Sequence, residues 1–231
     1  MEKRRKRLSQ RARRRQRNRR IAAVVAAAAA GLLVWFGMNG VRRERGADFP
    51  PVQGELLEAD PQEGRPPIDV QLLTPNPYSR PQEAMGTIRG IVIHYTANPG
   101  STAQENHDYF EGLKDSGAAY ASSHFVIGME GEIIQCIPGS EISYASNDRN
   151  YDTLSVECCH PDESGRFTEA TYTSMVELTA WLCSHFQVPV SGVIRHYDVT
   201  GKECPKYFVD HPEAWEQFLA DVSERLAKLQ A

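Results

Sequence analysis

The sequence predicts an α/β fold: a mixed central β-sheet flanked by helices, preceded by one N-terminal transmembrane helix. Three observations predict it. Strand and helix patterns alternate from residue 87 to residue 229, which calls for a sheet with helices on its faces. Ile21 to Met38, IAAVVAAAAAGLLVWFGM, is a run of 18 residues without a charge, and a helix of that length is about 27 Å long, enough for a hydrocarbon core. Charge reverses across that run: residues 1–20 carry 12 Lys and Arg against one acid, while residues 46–231 carry 11 basic and 28 acidic residues.

The whole-chain net charge of -4 therefore hides two opposite parts. A basic block beside a spanning segment is a topology signal, so 1–20 reads as a cytoplasmic tail and not as a nucleic-acid arm. The expected location is the cell membrane, single-pass, with everything after Asn39 extracytoplasmic. A cleaved secretory signal is the alternative, but no A-x-A-like site follows the run, where the chain reads FGMNGVRRERG. Residues 39–84 hold eight of the 14 prolines and many acids, and read as an extended spacer. Within it IDVQLLTPN has the pattern of a short edge strand or a docking segment. The folded domain is expected over 85–231.

That domain opens with TIRGIVIHY, Thr87 to Tyr95, whose nearly continuous apolar centre suits a buried strand. Thr102 to Leu113 reads as a helix capped by Ser101 or Thr102 with Glu105 in its first turn, and with His107 as an ordinary packed or surface residue. Ser123–Met129 and Glu132–Ile137 flank Glu130-Gly131 as a hairpin. A polar loop, SYASNDRNYD, leads into the strand TLSVECC, Thr153 to Cys159. Glu169 to Phe186 is a helix with Met175, Leu178, Leu182 and Phe186 on one face. Val188 to Arg195 returns as a strand, and His211 to Leu229 closes the chain as a helix with Pro212 in its first turn.

Chemistry concentrates in VIRHYDVTGKECPK, Val193 to Lys206, where His196 is followed by Lys202 and Cys204. The strand about a hundred residues upstream ends in His94. Two imidazoles and a thiolate are three ligands, and three protein ligands with a fourth position open characterise a catalytic zinc. A soft thiolate argues against magnesium or calcium. Glu157, among Leu154, Val156 and two cysteines, is either an edge residue facing solvent or a carboxylate held in a low-dielectric site with a raised pKa.

The succession His-Tyr-Thr, SSHFVIGMEGEIIQCIP, NYDTLSVECC and RHYDVTGKECP resembles the zinc-dependent N-acetylmuramoyl-L-alanine amidases of the type shared with phage T7 lysozyme and peptidoglycan recognition proteins. The resemblance covers roughly Gly86 to Leu219. It implies Zn2+ held by His94, His196 and Cys204, Glu157 as general base, and Lys202 facing an oxyanion. It also implies peptidoglycan or muropeptides as substrate. A histidine at the SSHF position, His124, lies near the substrate groove in that family; by its residue type alone it is equally a half-buried strand histidine. Two departures stand out. Ser123 replaces a frequent tyrosine, leaving the proton transfer to Glu157, and Tyr144-Ala145 replaces a usual tryptophan-histidine pair.

Some relatives of that type bind muropeptides without cutting them, and the intact ligand trio distinguishes the enzyme from such a module. A purely structural metal would need a fourth protein ligand, for which the sequence offers no obvious His or Cys and leaves only His124 open. The chain has no H-E-x-x-H, which sets aside the common zinc peptidases. If Cys204 binds metal, Cys136, Cys158, Cys159 and Cys183 remain, either as disulfide partners or as small buried apolar residues.

Overall fold

Residues 64–231 are described by a computed structural model. The expected basic tail, the spanning segment 21–38 and the first part of the spacer lie outside the described residues. Among the described residues no helix is long and apolar enough to cross a membrane. The strands are β1 (Asp69–Val70), β2 (Gly90–Tyr95), β3 (Phe125–Ile127), β4 (Ile133–Gln135), β5 (Thr153–Cys158) and β6 (Val193–Arg195). They form one sheet in the order β1-β4-β3-β5-β2-β6. Every neighbouring pair is parallel except the β3–β4 hairpin, so the sheet is mixed as expected.

Helices cover both faces. α1 (Ala103–Ser116) begins as the sequence predicts, with the Thr102 side chain accepting from the Glu105 backbone N–H and Glu105 accepting from the Thr102 N–H. It packs over β3 and β4 around Leu73, Phe110, Val126, Ile134 and Cys136. On the other face α2 (Glu169–Phe186) and α5 (Pro212–Leu229) bury the larger core, built on Ile91, Ile93, Leu154, Val156, Met175, Leu178 and Phe218. Each such side chain removed from water contributes about 1.5–3 kcal/mol, and this face anchors the interior strands. His107 on α1 is a packed residue whose Nε2 lies 2.9 Å from the Gln71 carbonyl. All five cysteines are buried and unpaired, which settles for this structure the choice between bridges and small apolar fillers.

Three local readings change. The hairpin strands are three residues each, shorter than the period-2 pattern suggests, and the loop between them runs from Gly128 to Glu132. β6 is also only three residues, because Val190–Gly192 forms a 3-10 turn first. A Cβ on Gly90 would sit 2.8 Å from the Gly192 carbonyl oxygen, and one on Gly192 would sit 2.8 Å from the Arg89 carbonyl oxygen, so β2 and β6 meet where only glycines fit. Finally, two short helices unseen in the sequence follow β6: α3 (His196–Thr200) and α4 (Lys206–Asp210).

The described part of the spacer, 64–84, is docked on the sheet. Asp69 and Val70 pair with Ile134 and Gln135, Leu73 is fully buried, and Arg80 makes a two-pronged ion pair with Glu141 at 2.7 and 2.8 Å. Thr74 donates from its N–H and hydroxyl to Glu111, at 2.8 and 2.7 Å, where Lys114 also binds. Leu73→Ala is expected to cost about 2–5 kcal/mol in urea unfolding of the domain. Acid acts on the same contact. Burial raises the Glu111 carboxyl, but bonds from Lys114 and Thr74 outweigh it and hold the group at about 2, against an ordinary 4.5. Its stabilisation is complete above pH 4.5 and is lost as pH falls toward 2, so Glu111→Gln is expected to flatten the acid loss of stability across that window.

Candidate metal centre and active site

Strand register assembles the site. His94 on β2 stands opposite Glu157 on β5, and Glu157 stands opposite Val126 on β3, so the three share the face that α1 covers elsewhere. Both site residues lie near the C-terminal ends of parallel strands, where ligand sites of such sheets form. β6, on the other side of β2, runs directly into α3, whose first residue is His196. Asp198 closes that turn by accepting from the Arg195 N–H at 2.9 Å and from the Arg195 guanidinium at 2.8 Å. α3 stops after five residues at Gly201, φ 76°, and the chain doubles back so that the Tyr197 N–H donates to the Cys204 carbonyl at 2.8 Å.

The return brings the Cys204 Sγ to 3.8 Å from His94 Nδ1. The His94 and His196 rings stand 4.6 Å apart between centroids at 55°. One ligand atom from each of His94, His196 and Cys204 lies within 4.8 Å of the others, and all three residues are buried. Glu157 Oε1 is 4.0 Å from His94 Nδ1, with the side chain 18% exposed. Glu157 Oε2 and His196 Nδ1 are buried without a hydrogen-bond partner.

Burial dominates the electrostatics. It drives the His94 imidazolium well below its ordinary value, helped by the charges of His196 and Lys202, and it lowers His196 to about 4, again with help from Lys202. Both rings are therefore neutral at pH 7 with lone pairs available. Burial pushes the Cys204 thiol up to about 12, with the Glu157 charge adding, and pushes Glu157 up to about 8 against the pull of Lys202. The Lys202 ammonium thus acts on all four groups, although its residue is exposed. Two neutral imidazoles, a thiol and orphaned polar atoms around one point suit a divalent cation, which would deprotonate the thiol and satisfy the lone pairs. Donors at metal bond lengths of about 2.0–2.3 Å in a tetrahedron are roughly 3.5 Å apart; here Cys204 Sγ and His94 Nδ1 are 3.8 Å apart and the three donors lie within 4.8 Å.

The other ring nitrogens are also held: His94 Nε2 is 3.2 Å from the Ser146 hydroxyl and His196 Nε2 is 2.9 Å from Asn147 Oδ1. Sequence reasoning marked this stretch only as a polar loop. An open groove of about 470 Å³ is walled by Pro75, Pro77 and Tyr120 together with Tyr144, which precedes Ser146 by two residues.

Of the two readings of His124, its surroundings are those of a packed histidine. It is fully buried, its Nδ1 accepts from the Ser155 N–H at 3.0 Å, and its Nε2 lies 2.9 Å from the Glu141 carbonyl. Burial lowers it to about 4, so it is neutral, with Nε2 as the donor. Both of its ring nitrogens are engaged within the fold. Its partner Ser155 is a hub: the hydroxyl also contacts Ser123 at 3.1 Å and Ser143 at 2.8 Å, and accepts from the His124 N–H at 3.0 Å. Ser123 is thereby spent on the sheet's own hydrogen bonds.

The N-acetylmuramoyl-L-alanine amidase family matches residues 84–207, more than half of the chain and a span that contains every site residue named above. The chain belongs to the N-acetylmuramoyl-L-alanine amidase family. Among curated relatives of this amidase family, CwlL of Bacillus licheniformis is 33% identical over 164 residues, 65% of this chain and 45% of the relative. BlyA of Bacillus subtilis (strain 168) is 28% identical over 173 residues, 66% of this chain and 46% of the relative. The chain spans less than half the length of either. The solved catalytic domain of XlyA shares the fold at a TM-score of 0.58 and 24% identity, covering 68% of this chain and 99% of that one. The PlyG catalytic domain does so at 0.59 and 23%, covering 69% and 95%. The amidase fold expected from four sequence motifs is the fold found.

Ser155→Ala would leave several buried donors and acceptors without their partner. It is expected to destabilise the domain by about 1–3 kcal/mol in chemical denaturation. A neutral result would show that the hub is not needed.

Proposed function

We propose that the chain is a membrane-anchored peptidoglycan hydrolase that cuts the amide between the lactyl group of N-acetylmuramic acid and the L-alanine of the stem peptide. The observation that carries this reading is the buried His94, His196 and Cys204 trio with the Glu157 carboxyl 4.0 Å from His94 Nδ1. Family membership supports the bond type. A zinc ion held by His94, His196 and Cys204 would supply Lewis acidity, making water acidic near neutral pH and polarising the amide carbonyl.

The chain's own residues do the rest. Glu157, with one oxygen unpartnered, accepts in its carboxylate form a proton from the attacking water and delivers it to the departing amine; burial raises its carboxyl to about 8, and a cation held by the trio would favour the carboxylate. Lys202, whose charge reaches the whole site, stabilises the oxyanion that develops on the lactyl carbonyl. One water is consumed, and the products are a lactyl carboxylate and the free N-terminus of L-alanine.

The anchor is residues 21–38. The basic tail before it favours a cytoplasmic N-terminus and an extracytoplasmic catalytic domain. The acidic domain would not be attracted to an anionic wall, so residence beside it falls to the anchor.

Muropeptides incubated with the zinc-loaded protein are expected to release stem peptides beginning with L-alanine, read by mass spectrometry. Glu157→Ala is expected to keep its zinc and lose about 10²–10⁴ in rate, and Cys204→Ser to lose both. Tight muropeptide binding without cleavage by the wild type would instead make the protein a recognition module.

A further inference from the structure

His94 presents Nδ1 to Cys204 Sγ at 3.8 Å, His196 Nδ1 is buried without a hydrogen-bond partner, and both rings carry Nε2 to the same two-residue stretch. His94 Nε2 meets the Ser146 hydroxyl at 3.2 Å and His196 Nε2 meets Asn147 Oδ1 at 2.9 Å. One imidazole comes from β2 and the other from the first residue of α3, about a hundred residues later, yet one short stretch reaches both.

That stretch is itself braced. The Asn150 side-chain carbonyl accepts from the Ala145 N–H at 3.2 Å and the Ser146 N–H at 2.6 Å. Upstream, the Ser122 hydroxyl accepts from the Tyr144 N–H at 2.9 Å. Downstream, the Thr153 hydroxyl donates to the Arg149 carbonyl at 2.6 Å and Arg149 pairs with Asp152 at 2.6 Å. Ser146 is buried. Asn147 sits at φ 51°, the left-handed region, where glycine would meet the backbone demand with no side chain at all. Asparagine is among the few other residues that adopt this conformation readily, and here its carboxamide oxygen also meets His196 Nε2.

A carboxamide oxygen can only accept, so Asn147 makes His196 Nε2 the protonated nitrogen and leaves the lone pair on Nδ1. Ser146 can accept from His94 Nε2–H in the same way. We propose that Ser146 and Asn147 are the positioning residues of the centre. They lock His94 and His196 in the Nε2–H tautomer and aim both Nδ1 lone pairs at the point shared with Cys204. This rests on the reading of the trio as a metal site, in which the partner of a ligand's second nitrogen sets its tautomer, its orientation and its basicity.

The test compares the full-length wild type with Asn147→Gly, which keeps the left-handed turn and removes the acceptor, and Asn147→Asp, which keeps both. Two quantities are read: the ring tautomers of the metal-free protein by long-range proton–nitrogen NMR, and the zinc dissociation constant by competition with a chromophoric chelator. In the wild type both rings are expected in the Nε2–H form. Asn147→Gly is expected to give His196 a mixture of tautomers and to weaken zinc binding about 10–100-fold. Asn147→Asp is expected to restore both. Unchanged affinity and tautomer in Asn147→Gly would overturn the proposal, as would a loss that Asn147→Asp fails to restore. A wild type that takes up no zinc sinks the metal reading. The tautomers then decide alone: a His196 that keeps its Nε2–H form in Asn147→Gly overturns the positioning role, and one that loses it sustains it.

Discussion

Because β2 is paired in parallel with β5 on one side and with β6 on the other, three strand ends converge on one spot, and the site depends on that register. A slip of one residue between β2 and β5 would move Glu157 to the face occupied by α2. The register is fixed on that face by Ile91, Ile93, Leu154 and Val156, which fill the larger core. On the β6 side the contact of Gly90 with Gly192 sets how close the strand comes, and so where His196 begins α3. Apolar packing on one face therefore pins polar chemistry on the other.

The chemistry is one of groups kept from water. His94, His196 and Cys204 are buried, and burial favours the neutral form of each. Glu157 has an unpartnered oxygen beside them. An arrangement that leaves such atoms without partners costs stability, and a protein retains it where a ligand repays the loss. A cation does so for the trio, and a reacting water does so for the carboxylate. Lys202 is the only one of the five placed in solvent, and its charge acts against the burial that raises Glu157.

Much of the scaffold was legible because local signals agreed with the final packing. The Thr102 and Glu105 capping box, the apolar face of Glu169–Phe186, and Pro212 at the start of the last helix each act within a few residues, and each appears where it was read. The trio was legible through residue type and motif. The partners of His124 were not, because a period of two places it on the face of Glu157 but says nothing of the Ser155 hydroxyl that engages it. His196 reads as the end of a strand after VIR, and only the Asp198 contacts turn it into a helix start. Ser146 and Asn147 meet histidines 52 and 49 residues away, a separation that no local pattern encodes. The docking of 64–84 depends on Leu73 and Arg80 finding α1 and Glu141, partners equally remote in sequence.

The most direct test of the account is X-ray absorption at the zinc edge on the metal-loaded protein. The account predicts two nitrogen neighbours at about 2.0–2.1 Å, one sulfur at about 2.3 Å and one further light atom from solvent. A shell without sulfur, or four protein ligands with no solvent position, would contradict it.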